Sequence, residues 1–89
     1  MKIEVKHPTA EEIKMAESWP TWEKEPSEFS WKYDRKETCL ILEGAAEVIS
    51  DDGNESAGFG KGDWVIFESG LSCVWKISQK IKKRYKFGD

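Results

Sequence analysis

Alternating apolar and polar side chains, interrupted at short intervals by glycine turns, restrict the fold of this chain more than any other feature. Phe29, Trp31 and Tyr33 alternate with polar residues, which is the period of a β-strand with one buried face. Further short apolar runs follow at intervals of roughly 8–12 residues, and glycines such as Gly53 and Gly62 separate them. This spacing predicts an all-β sandwich or barrel.

One short helix is predicted ahead of these strands. Thr9 is a good N-cap residue, and Glu12, three positions later, completes a capping box. Pro20 pushes the residue before it out of the helical region, so the helix should end by Trp19. The alternation over residues 2–6 predicts a short strand before the helix.

The chain has 89 residues, which is enough for one domain and too few for two independent cores. We expect residues 1–27 to form a strand, the short helix and a packing arm, and residues 28–89 to form the barrel. Charged residues make up 35% of the chain, and no long apolar run suggests a signal peptide or membrane span. Two cysteines in such a chain suggest reduced thiols. We therefore predict a cytoplasmic protein with no membrane partner.

Basic residues are concentrated near the C-terminus, where residues 76–86 contain six of the 14 lysines and arginines. This cluster could contact nucleic acid or an acidic partner. Alternatively, it is the solvated face of a strand whose lysines protect a sheet edge. No aromatic-interleaved RNA-binding motif accompanies the charges, so we favour the solvated face and expect no nucleic-acid partner.

Two spacings in the chain resemble the signature motifs of the cupin superfamily. Glu37 is followed by six residues and Gly44, as in G-x5-H-x-H-x3-4-E-x6-G. Gly62, Gly70 and Cys73 have the spacing of the Gly, Gly and His in G-x5-P-x-G-x2-H-x3-N. The resemblance implies a cupin-type double-stranded β-helix, a jelly-roll barrel, with one short N-terminal helix.

A closer resemblance is carried by Trp31-x-Tyr33, by Leu42-Glu43-Gly44 and by Gly70-Leu71-Ser72-Cys73-x-Trp75. These strings are similar to small single-domain cupins of unknown function, among them a short protein from a thermophile. That group is related to the cupin domains of ureidoglycine aminohydrolase and of an ethanolamine-utilisation protein.

The resemblance also implies where a metal would bind, because a typical cupin site has three histidines and one glutamate. In this chain Trp31, Tyr33 and Cys73 stand at the histidine positions, and only Glu37 keeps its type. The single histidine, His7, lies outside both motifs. Glu37 and Cys73 are fewer than the three protein ligands that catalytic zinc sites need. We therefore predict no metal cofactor and hold a divalent transition metal as the disfavoured alternative.

A ligand pocket is expected at the barrel mouth, where residues of inward parity meet. A carboxylate among apolar side chains favours its neutral form unless a partner holds its charge, so Glu37 is the candidate catalytic acid or base. The aromatic residues either stack on a flat ligand or simply fill the core. The candidate pocket residues are Trp31, Tyr33, Glu37, Cys39, Phe67, Cys73 and Trp75.

Cys73 is also a candidate nucleophile, but no base lies in either motif to activate it. We interpret Cys73 and Cys39 as buried core thiols. The favoured function is binding or transforming a small polar metabolite without a histidine-bound metal, and the sequence leaves open whether the protein is an enzyme. The alternative is a non-catalytic module with a filled barrel that acts through its basic strand or a homodimer edge.

Overall fold

The structure, a computed structural model, describes residues 2–88, and within them antiparallel strands and one short helix account for nearly all regular structure. The elements in chain order are β1 (Ile3–Lys6), α1 (Ala10–Ala16), β2 (Thr21–Lys24), β3 (Ser27–Lys32), β4 (Glu37–Ser50), β5 (Ser56–Gly60), β6 (Trp64–Phe67) and β7 (Ser72–Phe87). This arrangement confirms the all-β prediction with a single helix near the N-terminus.

The long strands β4 and β7 pair with each other along most of their length. The sequence predicts two shorter strands in place of each: residues 38–42 and 45–50 on either side of Gly44, and residues 72–78 and 81–87. The structure instead has a β-bulge at Gly44, because the register shifts between Ile41 and Ala46 while the pairing continues. Gly44 has φ +92, and a Cβ at this position would clash with the carbonyl oxygen of Lys80. Only glycine allows the two strands to approach this closely.

The bulge divides the pairing into two halves. In one half, the first part of β4 lies between β6 and the C-terminal part of β7, with β1 and β2 at the edges. In the other half, the second part of β4 lies between β5 and the N-terminal part of β7, and β3 pairs with β7. Side chains from both halves form one apolar core, which is the arrangement of a double-sheet jelly roll.

Alternation along β4 explains why both faces of its first half are buried. Cys39 and Ile41 point into the main core, whereas Leu40 packs with Trp64 on the opposite face. That outer face is covered by α1, which contributes Ala16. The helix therefore shields the outside of the sheet and takes no part in the core between the halves.

The predicted capping box of α1 is confirmed. The Thr9 hydroxyl accepts a hydrogen bond from the Glu12 N–H at 3.1 Å, and the Glu12 carboxylate accepts one from the Thr9 N–H at 2.9 Å. Both bonds satisfy backbone N–H groups that the start of the helix would otherwise leave unpaired. No helix in the described part of the chain is long and apolar enough to cross a membrane.

The segment predicted as a packing arm contains strand β2, which pairs with the C-terminal half of β7. Periodicity did not indicate this strand, because it has four residues and Trp22 is its only large apolar side chain. β7 thus lies between β4 and β2 at its basic end. The prediction that residues 76–86 protect a sheet edge is therefore wrong for this part of the strand.

Candidate functional site

A cavity of about 160 Å³ opens at one end of the core, between β2, β3, β4 and β7. Its mouth is marked by Trp31 and Phe87, which are among the exposed large apolar residues. Charged groups contribute to the lining through Glu37 and Lys83. Aromatic side chains form the remaining walls: Trp22, Phe29, Trp31, Tyr33, Trp75, Tyr85 and Phe87.

The strand register brings the aromatic walls together. Phe29 lies directly opposite Trp75 in the β3–β7 pairing, and their rings stack with centroids 6.1 Å apart and an interplanar angle of 9°. Trp22 of β2 meets Trp75 edge-on at 6.3 Å. Such contacts hold the rings in fixed orientations, so the cavity has a preformed shape.

Glu37 and Lys83 form a buried ion pair in this cavity. Lys83 Nζ donates a hydrogen bond to Glu37 Oε2 at 2.9 Å, and the two side chains are only 4% (Glu37) and 6% (Lys83) exposed. The ammonium also lies 4.8 Å from the ring centroid of Trp22 and 4.7 Å from that of Trp75. Attraction to the carboxylate and to two ring faces offsets the cost of removing the ammonium from water.

The second carboxylate oxygen, Glu37 Oε1, is buried and has no hydrogen-bond partner within residues 2–88. Buried polar atoms nearly always find a partner, and an unpaired carboxylate oxygen is costly. The neighbouring Tyr33 hydroxyl accepts a hydrogen bond from Trp75 Nε1 at 3.2 Å. Burial, and then the charge of Glu37, raise the pKa of Tyr33, so the phenol stays neutral. Oε1 therefore lies in a buried site near the neutral Tyr33 phenol and has no hydrogen-bond partner among the described residues.

Four of the predicted pocket residues line this cavity: Trp31, Tyr33, Glu37 and Trp75. The other three lie in the core and are fully buried: Cys39, Phe67 and Cys73. Phe67 stacks on the inner face of Tyr33 with centroids 4.9 Å apart. Burial is the main cause that raises the pKa of the Cys39 thiol, and it raises that of Cys73 to about 11. Both thiols are therefore neutral at neutral pH.

The sequence did not predict Lys83 as a site residue. Of the residues missed in this way, Lys83 has the largest effect on the site. The basic cluster was interpreted as one solvated face, yet Ile81, Lys83 and Tyr85 share a parity opposite to that of Lys82 and Arg84. Ile81 is fully buried and Lys83 is 5% exposed, so this parity faces the interior. The alternation in β7 therefore contained the signal that one lysine of the cluster points inward.

The groups at the cupin ligand positions do not fit a metal ion. Trp31 has no ligating atom, and Cys73 is fully buried outside the cavity that Tyr33 and Glu37 line. Glu37 is paired with the ammonium of Lys83, whose positive charge repels a cation. Among residues 2–88, no three His, Cys, Asp or Glu side chains form a group that could hold a metal.

Comparison with known families identifies the class of protein. The EutQ-like cupin domain matches residues 12–85, so the chain belongs to this cupin family. The match confirms the cupin relationship predicted from the two motifs, and with it the jelly-roll fold. No curated protein matches the sequence.

Solved structures agree with this assignment. A DUF861-family protein from Thermotoga maritima is 46% identical, with a TM-score of 0.90 over 96% of this chain and 98% of that chain. A putative ethanolamine utilization protein Q from Salmonella typhimurium is 20% identical, with a TM-score of 0.68 over 76% of this chain and 54% of that chain. The EutQ protein of Clostridium difficile is 15% identical, with a TM-score of 0.68 over 76% and 52%. The latter two likenesses show the shared fold.

Proposed function

We propose that this cupin binds a small neutral molecule that places a hydrogen-bond donor on Glu37 Oε1 and a flat or apolar body against the aromatic walls. The observation that carries the proposal is the buried, unpartnered Oε1 of Glu37, a residue that lines an open cavity. A ligand N–H or O–H that reached this oxygen would satisfy a buried side-chain acceptor that residues 2–88 leave unpaired.

The cavity volume limits the size of the ligand. At 160 Å³, the cavity is close to the roughly 150 Å³ of an engineered protein cavity that holds benzene. It is well below the ~300–1,000 Å³ of pockets for drug-sized molecules. The volume supports a molecule of about one six-membered ring with a small substituent.

The charges of the cavity support a neutral ligand. Glu37 and Lys83 cancel each other at 2.9 Å, so the cavity has no net charge. An anion would have to compete with Glu37 for the ammonium, and a cation would lie close to Lys83. Either would lose its hydration without full compensation. Amides, hydroxyl compounds and N–H heterocycles fit best, and binding needs no metal.

The alternative is a structural or interaction module with a filled barrel. The open cavity and the unpaired Oε1 favour ligand binding over this alternative. A cytoplasmic location is also part of the proposal. It is supported by the free thiols of Cys39 and Cys73, which a reducing compartment would preserve.

Tryptophan fluorescence tests the proposal directly, because Trp22, Trp31 and Trp75 line the cavity. We expect benzamide, a neutral donor of the right size, to shift the emission saturably. Methyl benzoate, which has a similar shape and no donor, should bind more weakly. Benzoate and benzylammonium test whether charged analogues are excluded.

Glu37→Gln should weaken benzamide binding by about 5-fold, because the amide oxygen still accepts but a hydrogen bond to a charged group is about 1 kcal/mol stronger than one to a neutral group. Glu47→Gln, an exposed position on the same strand, is the matched control and should bind as the unmodified protein does. The absence of any saturable response to neutral donors, in protein shown to be folded, would favour the filled module.

A further inference from the structure

We propose that Lys83 forms a reversible imine with a small aldehyde bound in the cavity. This inference rests on the proposed function, because the same aromatic walls must hold the body of the aldehyde, which acquires a donor for Glu37 Oε1 only when it becomes the carbinolamine. It adds a covalent step and a substrate class to the binding site.

Lys83 is positioned for such chemistry by the strand that carries it. Of the lysines in residues 2–88, Lys83 alone lines this cavity, and its side chain is 6% exposed. Lys82 and Lys86 have the opposite parity on β7 and are more accessible. Amines that react with carbonyl compounds are typically desolvated in apolar pockets, and the aromatic walls provide these surroundings.

Glu37 supplies the proton transfers that imine formation needs. The Lys83 ammonium gives one proton to the carboxylate 2.9 Å away, and the free amine attacks the aldehyde carbon as the C=O π electrons move to oxygen. A proton then passes from the nitrogen to that oxygen, which gives a neutral carbinolamine. Protonated Glu37 returns its proton to the hydroxyl, water leaves, and the nitrogen lone pair forms the C=N bond.

These steps balance without any co-reactant. One ammonium and one aldehyde give one iminium and one water, and Glu37 ends as the carboxylate. The hydroxyl of the carbinolamine also has an acceptor ready, since Glu37 Oε1 is buried and unpaired within the described residues. A thiol is not the nucleophile, because Cys39 and Cys73 do not line the cavity.

The iminium product retains the stabilising contacts of the ammonium. It carries the same single positive charge, so the Glu37 carboxylate and the faces of Trp22 and Trp75 still compensate it. The two rings lie 4.8 and 4.7 Å from Nζ, so one carbon substituent on the reacting carbon meets less crowding than two would. An aldehyde therefore fits better than a ketone.

Reductive trapping with benzaldehyde and sodium cyanoborohydride tests the inference. Hydride adds to the C=N bond and fixes the label, and peptide mapping by mass spectrometry then identifies the labelled lysines. We expect Lys83 to be labelled first and ahead of every exposed lysine. Equal labelling across the exposed lysines with Lys83 unmodified would overturn the inference, and this readout uses the unmodified protein.

Variants separate a reactive amine from a merely accessible one. Lys83→Arg keeps the positive charge and should abolish the early label, whereas Lys82→Arg, the matched neighbour, should leave it unchanged. Glu37→Gln should slow labelling of Lys83 by about 100-fold, as expected on losing a general acid–base group. Unchanged labelling of Lys83 in Glu37→Gln would contradict the proton-transfer role.

Benzamide distinguishes failure of this inference from failure of the proposed function. If benzamide shifts the tryptophan emission and protects Lys83 from labelling, both are supported. If benzamide binds and Lys83 still resists labelling, the imine is excluded while the binding site stands. If neither benzamide binding nor labelling of Lys83 is seen, both are overturned.

Discussion

The ammonium of Lys83 donates to Glu37 Oε2 at 2.9 Å inside the protein, with only 6% and 4% of the two side chains exposed. The pairing of β7 with β4 and β2 makes this contact possible, because Lys83 lies opposite Ile41 on one side and Trp22 on the other. Each charge has the other as its main compensation. Removing either one leaves a buried charge without its partner.

Lys83→Met should therefore lower the free energy of unfolding by about 3–5 kcal/mol, as for other broken buried ion pairs. Adding Glu37→Leu to Lys83→Met should restore most of that loss, since it removes the uncompensated carboxylate. Urea denaturation of the single and double variants measures the coupling.

An exposed ion pair on the same strand is the internal control. Lys80 and Glu23 are 3.3 Å apart with about half of each side chain exposed, so Lys80→Met should lower the free energy of unfolding far less than Lys83→Met does. Equal losses for Lys80→Met and Lys83→Met would mean that burial does not strengthen the inner pair.

The two motif glycines Gly44 and Gly62 have the same φ of +92 but different surroundings. Gly62→Ala should lower the free energy of unfolding by about 1–2 kcal/mol, the penalty for an L-residue in the left-handed region. No further loss is expected, because no atom lies within 4 Å of the new Cβ. Gly44→Ala adds a clash with the Lys80 carbonyl and should cost about 3 kcal/mol or more. Thermal unfolding of both variants compares the two costs. A Gly44→Ala loss no larger than that of Gly62→Ala would contradict the close approach at the bulge.

These glycines also show how far the sequence could predict the fold. The spacing of Gly44 after Glu37 indicated the family resemblance, but it could not separate a turn that ends a strand from a bulge within one. Both use positive φ at glycine, and the difference depends on β7, which is distant in sequence. Thr9 and Glu12 were predictable because the capping box involves only neighbouring residues.

The site was predictable where one strand determined it and unpredictable where strands meet. Alternation correctly placed Trp75 and Glu37 on buried faces. The pairing of Trp22 with Lys83 depends on a four-residue strand with little periodic signal. The contact of the Trp22 ring with the ammonium could therefore not be predicted from the sequence. The partner of Glu37 lies 46 residues away, where it was concealed among exposed lysines.

Cys73 should make stability depend on pH in the alkaline range. Burial, with smaller contributions from the charges of Asp51 and Glu37, raises the pKa of this thiol from its ordinary 9.0 to about 11. Below pH 9 both folded and unfolded chains keep the proton. Between pH 9 and 11 the unfolded chain releases it while the folded chain retains it, so this contribution to stability is lost as the pH rises.

Cys73→Val removes the titrating thiol while keeping an apolar side chain. The urea midpoint of the variant should fall less between pH 9 and 11 than that of the unmodified protein. Any constant difference caused by repacking cancels in this comparison. Parallel pH curves for the two proteins would contradict a raised thiol pKa.

Trp31 lies at the mouth of the cavity, half-exposed, with its ring centroid 6.5 Å from that of Tyr33. Trp31→Ala should weaken benzamide binding by about 3- to 10-fold, because one stacking contact contributes about 0.5–1.5 kcal/mol. Its effect on stability should be about 1 kcal/mol or less, as the side chain supports little of the core. Met15→Ala, an exposed apolar residue on α1 away from the cavity, is the control and should leave binding unchanged. Fluorescence titration with the remaining cavity tryptophans measures both affinities, and an unchanged affinity in Trp31→Ala would place the ligand deeper, against Trp75 and the ion pair.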